Sequence, residues 1–252
     1  MQSFLVSMRT TSTNGLLILS FIVAGTFSGC IHVEQSLTLN GDGSGTLDVT
    51  YGMSKENIAQ MQEMSKQAVE DGGTNDTEKA SPFDFNEADI RADFKEYEQH
   101  GVTLSSVRTE ETNNWKFVYL KIAFQNLEGL SHTEFVSDRT VTLVKNEAGH
   151  YVYRQAVANP EEELPEGTDQ ASVNDMMSGF MKGFHAVMKV HTPGKILTTN
   201  AGASDEQSAT WDFDLEKDPT ALQRAQKLDI QVEFDGAGLN IPEYRPVTPE
   251  KH

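Results

Sequence analysis

Cys30 is the only thiol in a chain of 252 residues, so it has no disulfide partner within the chain. It closes the run Phe27-Ser28-Gly29-Cys30, directly behind an apolar stretch. A thiolate there can act as a nucleophile, bind a metal or take a covalent modification. The histidines are His32, His100, His132, His150, His185, His191 and His252. A catalytic or structural zinc site wants imidazoles at short spacing, as in His-Glu-x-x-His, and no such pattern occurs. His185 and His191 could share one face of a strand, but six residues of strand rise hold them ~20 Å apart. The histidines therefore read as solvated or structural, with no metal site and no cofactor. Asn40, Asp42, Ser44 and Gly45 stand where a calcium loop has its first ligands and its glycine, but Tyr51 occupies the place of the closing bidentate acid. A hairpin turn explains those four residues better. With 38 Asp+Glu, a pair for carboxylate-dependent hydrolysis could exist, but no spacing singles one out. Neither Gly-x-Ser-x-Gly nor a phosphate loop is present, so no catalytic residue is assigned.

The second candidate for chemistry is apolar. Val173, Met176, Met177, Phe180, Met181 and Phe184 fall on one stripe of a helix expected over 169–184. Methionine is flexible and polarizable, so Met176, Met177, Phe180, Met181 and Phe184 form a candidate face for an apolar ligand. The competing reading, core packing, is the stronger one for so regular a stripe.

The elements that must position these residues begin with residues 15–25, an apolar run too short to cross a bilayer, which needs ~20 residues. Arg9 is the only charge before it, and small residues follow it. That order is a secretory signal peptide. With Phe27-Ser28-Gly29-Cys30 it resembles the lipobox of bacterial lipoproteins. The resemblance implies that the Cys30 sulfur accepts a diacylglyceryl group, that cleavage removes residues 1–29, and that the new amino group is acylated. It also implies an envelope location. Ile31 rather than Asp after the Cys implies the outer membrane, facing the periplasm, in a two-membrane bacterium. Acyl chains then attach the protein to the membrane, because no later segment could span one.

The balance of 20 Lys+Arg against 38 Asp+Glu, net −18, excludes nucleic acid as a partner. A mean hydropathy of −0.46 excludes a polytopic membrane protein. So acidic a body is expected to stand off anionic lipid on its tether.

Period-two alternation predicts a hairpin from 31–39 and 46–51, then strands over 102–108, 115–124, 140–144, 151–157, 185–191, 195–199, 210–213 and 228–234. The strand over 115–124 is apolar on both faces and is expected to be covered on both. Helices are expected over 54–70, capped by Ser54, and over 87–100, ended by Gly101. Together these predict an α+β fold, with a largely antiparallel sheet and two or three packed amphipathic helices. Residues 30–241 form the domain, with a break between subdomains conceivable near 71–82 or 158–168, and 242–252 is a Pro-rich tail.

Pro193-Gly194-Lys195-Ile196, Asn200-Ala201-Gly202 and Ala209-Thr210-Trp211, with the early turn Asp42-Gly43-Ser44-Gly45, resemble the LppM-type envelope lipoprotein domain. The resemblance implies an envelope lipoprotein of unassigned activity, with lipid binding proposed for some members. The function expected is a non-catalytic, membrane-anchored domain that binds a lipid or an envelope protein. The alternatives are a carboxylate- or metal-dependent envelope hydrolase and a purely structural or assembly lipoprotein.

Overall fold

The structure, a computed structural model, describes residues 31–70, 86–136, 139–157 and 183–246. Cys30, Met176, Met177, Phe180 and Met181 lie outside the described residues, as do both places where a subdomain break was expected.

β1 (Ile31–Leu39) and β2 (Gly45–Ser54) pair antiparallel as the first hairpin. Asp42 Oδ1 accepts the Ser44 backbone N–H at 3.0 Å and the Ser44 hydroxyl at 2.7 Å, and Gly43 takes a φ of 88°. These residues form an Asx-type turn, with Asp42 committed to Ser44. Ser54 Oγ then accepts the Asn57 N–H at 3.2 Å and caps α1 (Lys55–Glu70). The helix expected over 87–100 is two pieces. α2 (Glu87–Asp93) is capped by Asn86, and a 3₁₀ helix (Phe94–His100) ends at Gly101, φ 73°. Phe94 is buried there, its ring 5.9 Å from Phe135 and 5.6 Å from Tyr97.

The remaining elements in order are β3 (Val102–Glu111), β4 (Trp115–Phe124), α3 (Leu127–Ser131), β5 (Arg139–Lys145), β6 (Tyr151–Val157), β7 (His185–His191), β8 (Ile196–Thr199), β9 (Ala203–Ser204), β10 (Ser208–Asp214), α4 (Ala221–Gln226) and β11 (Asp229–Phe234). They make a seven-stranded sheet, β3-β4-β2-β1-β7-β10-β9, and a four-stranded sheet, β5-β6-β11-β8. Pairing among the described strands is antiparallel except between β1 and β7.

The expected α+β class is corrected here. The protein is mainly β, and one helix among the described residues, α1, exceeds seven residues. The reason lies in what covers the large sheet. Leu37, Leu47 and Val190 on its inner face share one buried cluster with Tyr153 and Ile230 of the small sheet. A hollow of about 20 Å³ is what remains between them, room for about one water. Sheet packed on sheet fills the core, so helices are not needed as its second layer. Phe184 also differs from expectation. It stands outside any helix, just before β7, and is buried in this core.

β4 also departs from expectation. Val118, Leu120, Ile122 and Phe124 are buried, but Trp115, Phe117 and Tyr119 on the other face are half-buried. These rings cover one another in part, stacked at 5.4 and 6.1 Å. The start of the Pro-rich tail is pinned to the small sheet. Tyr244 exchanges backbone hydrogen bonds with Leu143, both 2.8 Å, and its hydroxyl donates to Ser131 at 2.9 Å.

Candidate functional site

A cleft of about 430 Å³ opens where the two sheets part. β10 of the large sheet supplies Trp211 and Phe213. The chain entering β11 of the small sheet supplies Lys227, Leu228 and Asp229, and Asn200 follows β8. α4 roofs the cleft with Gln223 and Arg224, behind Thr220. Asp218 sets that roof by accepting the Thr220 N–H at 2.9 Å and the Thr220 hydroxyl at 2.7 Å. It also accepts from Arg224 at 2.6 Å, and the Arg224 guanidinium lies 5.4 Å from the centre of the Phe213 ring.

Most polar groups of the cleft are already engaged. Asp229 takes a two-pronged bond from Arg154, 2.8 and 2.7 Å, and another from Gln231 at 2.9 Å. The Arg154 guanidinium beside it holds its carboxyl below the usual carboxylate range. Asn200 binds the β11 backbone, accepting the Gln231 N–H at 3.0 Å and donating to the Asp229 carbonyl. Two groups are not engaged. The Trp211 indole N–H is buried without a hydrogen-bond partner, although its side chain lines the cleft. The exposed Lys227 ammonium has no partner among the described residues. A buried orphan donor costs ~1–3 kcal/mol. The cleft therefore offers an apolar floor of Trp211, Phe213 and Leu228 and a free cation, with the unpartnered Trp211 N–H buried in its wall. No histidine lines it, and its one carboxylate is occupied, so no acid–base pair faces a bound molecule.

A second hollow, about 300 Å³, opens on the outer face of the large sheet. One register line crosses it, Phe117–Gly52–His32–His185–Asp214. The His32 and His185 rings meet edge to face at 5.3 Å, and His185 Nε2 is 2.8 Å from Asp212 Oδ1. Two more histidine groupings arise only by folding. His100 and His132 stack at 3.9 Å, and His150 Nδ1 lies 2.8 Å from Glu233 Oε1. Sequence spacing singled out His185 and His191, whereas the parallel pairing of β1 with β7 brings His185 to His32 instead. Among the described residues no three His, Cys, Asp or Glu side chains stand where they could hold one metal ion. No helix among them is long and apolar enough to cross a membrane.

No family model matches the chain, and neither does any curated protein. Among solved structures it is similar to the folded domain of the LppM protein of Mycobacterium tuberculosis, determined by NMR. The identity is 11%, over 83% of this chain and 92% of that one, with a TM-score of 0.38. A likeness of that size transfers no residue role and no activity.

Of the residues singled out from sequence, Phe184 alone among the apolar face is described, and it sits in the core rather than at either hollow. The cleft residues Arg224, Lys227 and Leu228 were not anticipated. One signal for them exists: Asp218-Pro219 ahead of Ala221 is a helix-start pattern, and the helix it starts is the roof.

The imidazole pair predicts a pH response. Burial, and then the neighbouring His185, hold His32 below its ordinary value of 6.5, against the opposing pull of Glu34. The unfolded chain therefore takes up that proton first on acidification. The contribution is fully present above about 6.5 and is lost as pH falls through and below it. Thermal unfolding between about pH 7.5 and about 5.5 should show a falling midpoint, and His32→Gln should flatten the fall. A carboxylate contribution is separable. Glu233, lowered chiefly by its bond to His150, and Asp229 lose theirs only near their ordinary values of 4.5 and 3.8 and below.

Proposed function

We propose that the protein is a lipid-anchored component of a bacterial envelope, acylated at Cys30, whose β domain binds an amphipathic, anionic ligand without transforming it. In a two-membrane bacterium the anchor directs it to the outer membrane, facing the periplasm. The observation that carries the binding reading is the cleft, where the unpartnered Trp211 N–H and the free Lys227 cation adjoin an apolar floor. Its size falls in the range of small-molecule sites, ~300–1,000 Å³. The core between the sheets offers no alternative, since its residual hollow is far smaller.

A titration with an anionic naphthalene-sulfonate probe, followed by fluorescence, tests this reading. Lys227→Glu and Trp211→Phe should each weaken binding about tenfold, the worth of one charge-assisted or buried hydrogen bond. Lys195→Glu, which changes an exposed lysine 3.6 Å from Glu206, serves as the charge control and should bind like the parent. Equal affinity in all four proteins would remove the cleft from consideration.

A further inference from the structure

We propose that the outer-face edge carrying Trp115 and Phe117 is a membrane-contact surface, seated in the interfacial layer of the bilayer that holds the anchor. The inference rests on acylation at Cys30 and adds to it where, and with which residues, the domain touches lipid. The occupant it names is a bilayer of zwitterionic lipid.

The first argument is chain length. β1 begins at Ile31, the residue bonded directly to Cys30. No residues remain between the acylated position and the large sheet to serve as a tether. One trans peptide step is 3.8 Å, so the sheet starts at the membrane surface rather than standing off it.

The second argument is register. Ile31 pairs with Met53, and Met53 with Lys116, so β4 lies two strand spacings, ~10 Å, from β1 at this level. Trp115 pairs with Ser54, one step further toward the same end of the sheet. The lowest aromatic of β4 therefore lies at the end of the sheet where the anchor is attached. Phe117 follows on the same face, lying over Gly52, where any Cβ would strike its ring. Tyr119 completes the stack, with the Arg108 guanidinium 4.0 Å from its ring centre.

The third argument is composition. Trp and Tyr favour the headgroup layer, where an apolar ring and a polar tip are both accommodated. The hollow beside these rings is lined by Ile31, His32, Trp115 and Phe117 on the side of the rings, and by His185, Asp214 and Glu216 on the other. Among the described residues three acidic groups at this end are paired, and Glu216 is not. Glu111 is 3.1 Å from Lys55, Glu110 is 2.6 Å from Arg108, and Asp214 is 2.7 Å from Lys217. Paired charges reduce the repulsion that an acidic body would otherwise meet at a lipid surface.

The test uses the full-length acylated protein in phosphatidylcholine vesicles whose acyl chains carry bromine, a quencher of indole emission. The chain has two tryptophans, and Trp211 is buried. Intact mass is read first. In the Trp211→Phe protein, Trp115 emission should fall by about half relative to unbrominated vesicles, as expected for an indole at headgroup depth. Comparing the parent with Trp115→Phe gives the same readout without altering Trp211: the parent should lose the larger share of its emission. An acylated protein whose Trp115 emission is unchanged by bromine overturns the contact surface and leaves the anchor standing. A protein that lacks the acyl mass overturns the anchor, and the contact surface falls with it.

Discussion

Cys30→Ser is expected to abolish lipidation, with loss of the acyl mass and of lipid anchoring. A hydroxyl cannot replace the thiol whose sulfur takes the diacylglyceryl group. Each buried CH₂ is worth ~0.8 kcal/mol, so two or three chains hold a protein that one chain would let go. Fractionation and intact mass give the answer, and a Cys30→Ser protein that keeps the acyl mass would falsify the anchor assignment. The fold should be indifferent, because residue 30 precedes β1 and the described core begins after it. Thermal unfolding of a soluble form starting at Ile31 should match that of Cys30→Ser.

A large stability loss from a single methyl group is expected at Gly194. Here the chain leaves β7 of the large sheet and crosses to β8 of the small one. Asp235 N–H donates to the Lys195 carbonyl at 2.8 Å, and Thr192 Oγ1 donates to the Gly194 carbonyl at 2.8 Å. A Cβ on Gly194 would run into the Asp235 carbonyl oxygen, which is backbone and cannot rotate away. Gly194→Ala should therefore cost ~3 kcal/mol, the upper end for overpacking, with β8 pushed off β11. Gly202→Ala, in the next turn, is the control. The nearest atom to its Cβ would be the Thr210 carbonyl oxygen at 3.9 Å, so its unfolding midpoint in urea should hardly move. Equal midpoints for the two variants would mean that the crossover is looser than it is drawn here.

These two experiments probe different levels of the molecule, and so did the reading of the sequence. The local pieces were legible. Alternation over 31–39 and 46–51 with Asn40-Gly41-Asp42-Gly43 between them dictates a hairpin, because a side-chain period of two and a turn of Asx and Gly leave few alternatives. Ser54 as a cap and Gly101 as a left-handed stop follow from the same short-range chemistry. The lipobox-like end at Cys30 is a reading of another kind: it rests on the sequence alone and lies outside the described residues.

What packs on what was not legible. Periodicity shows that a strand has an apolar face but not which layer will cover it, so the large sheet was given helices where it has a second sheet. The candidate site was hidden for the same reason. Trp211 and Lys227 become neighbours only because β10 and β11 belong to different sheets that part beside α4. His32 meets His185, 153 positions away, through the parallel pair β1–β7, which no local spacing encodes. The sequence by itself determined the first hairpin and the caps, because those depend on residues a few positions apart. The tertiary structure alone decided the two-sheet core, the cleft and the stacked aromatic edge of β4. Each of these depends on long-range pairing, whose free energy comes from burying faces against one another and not from any one segment's preference.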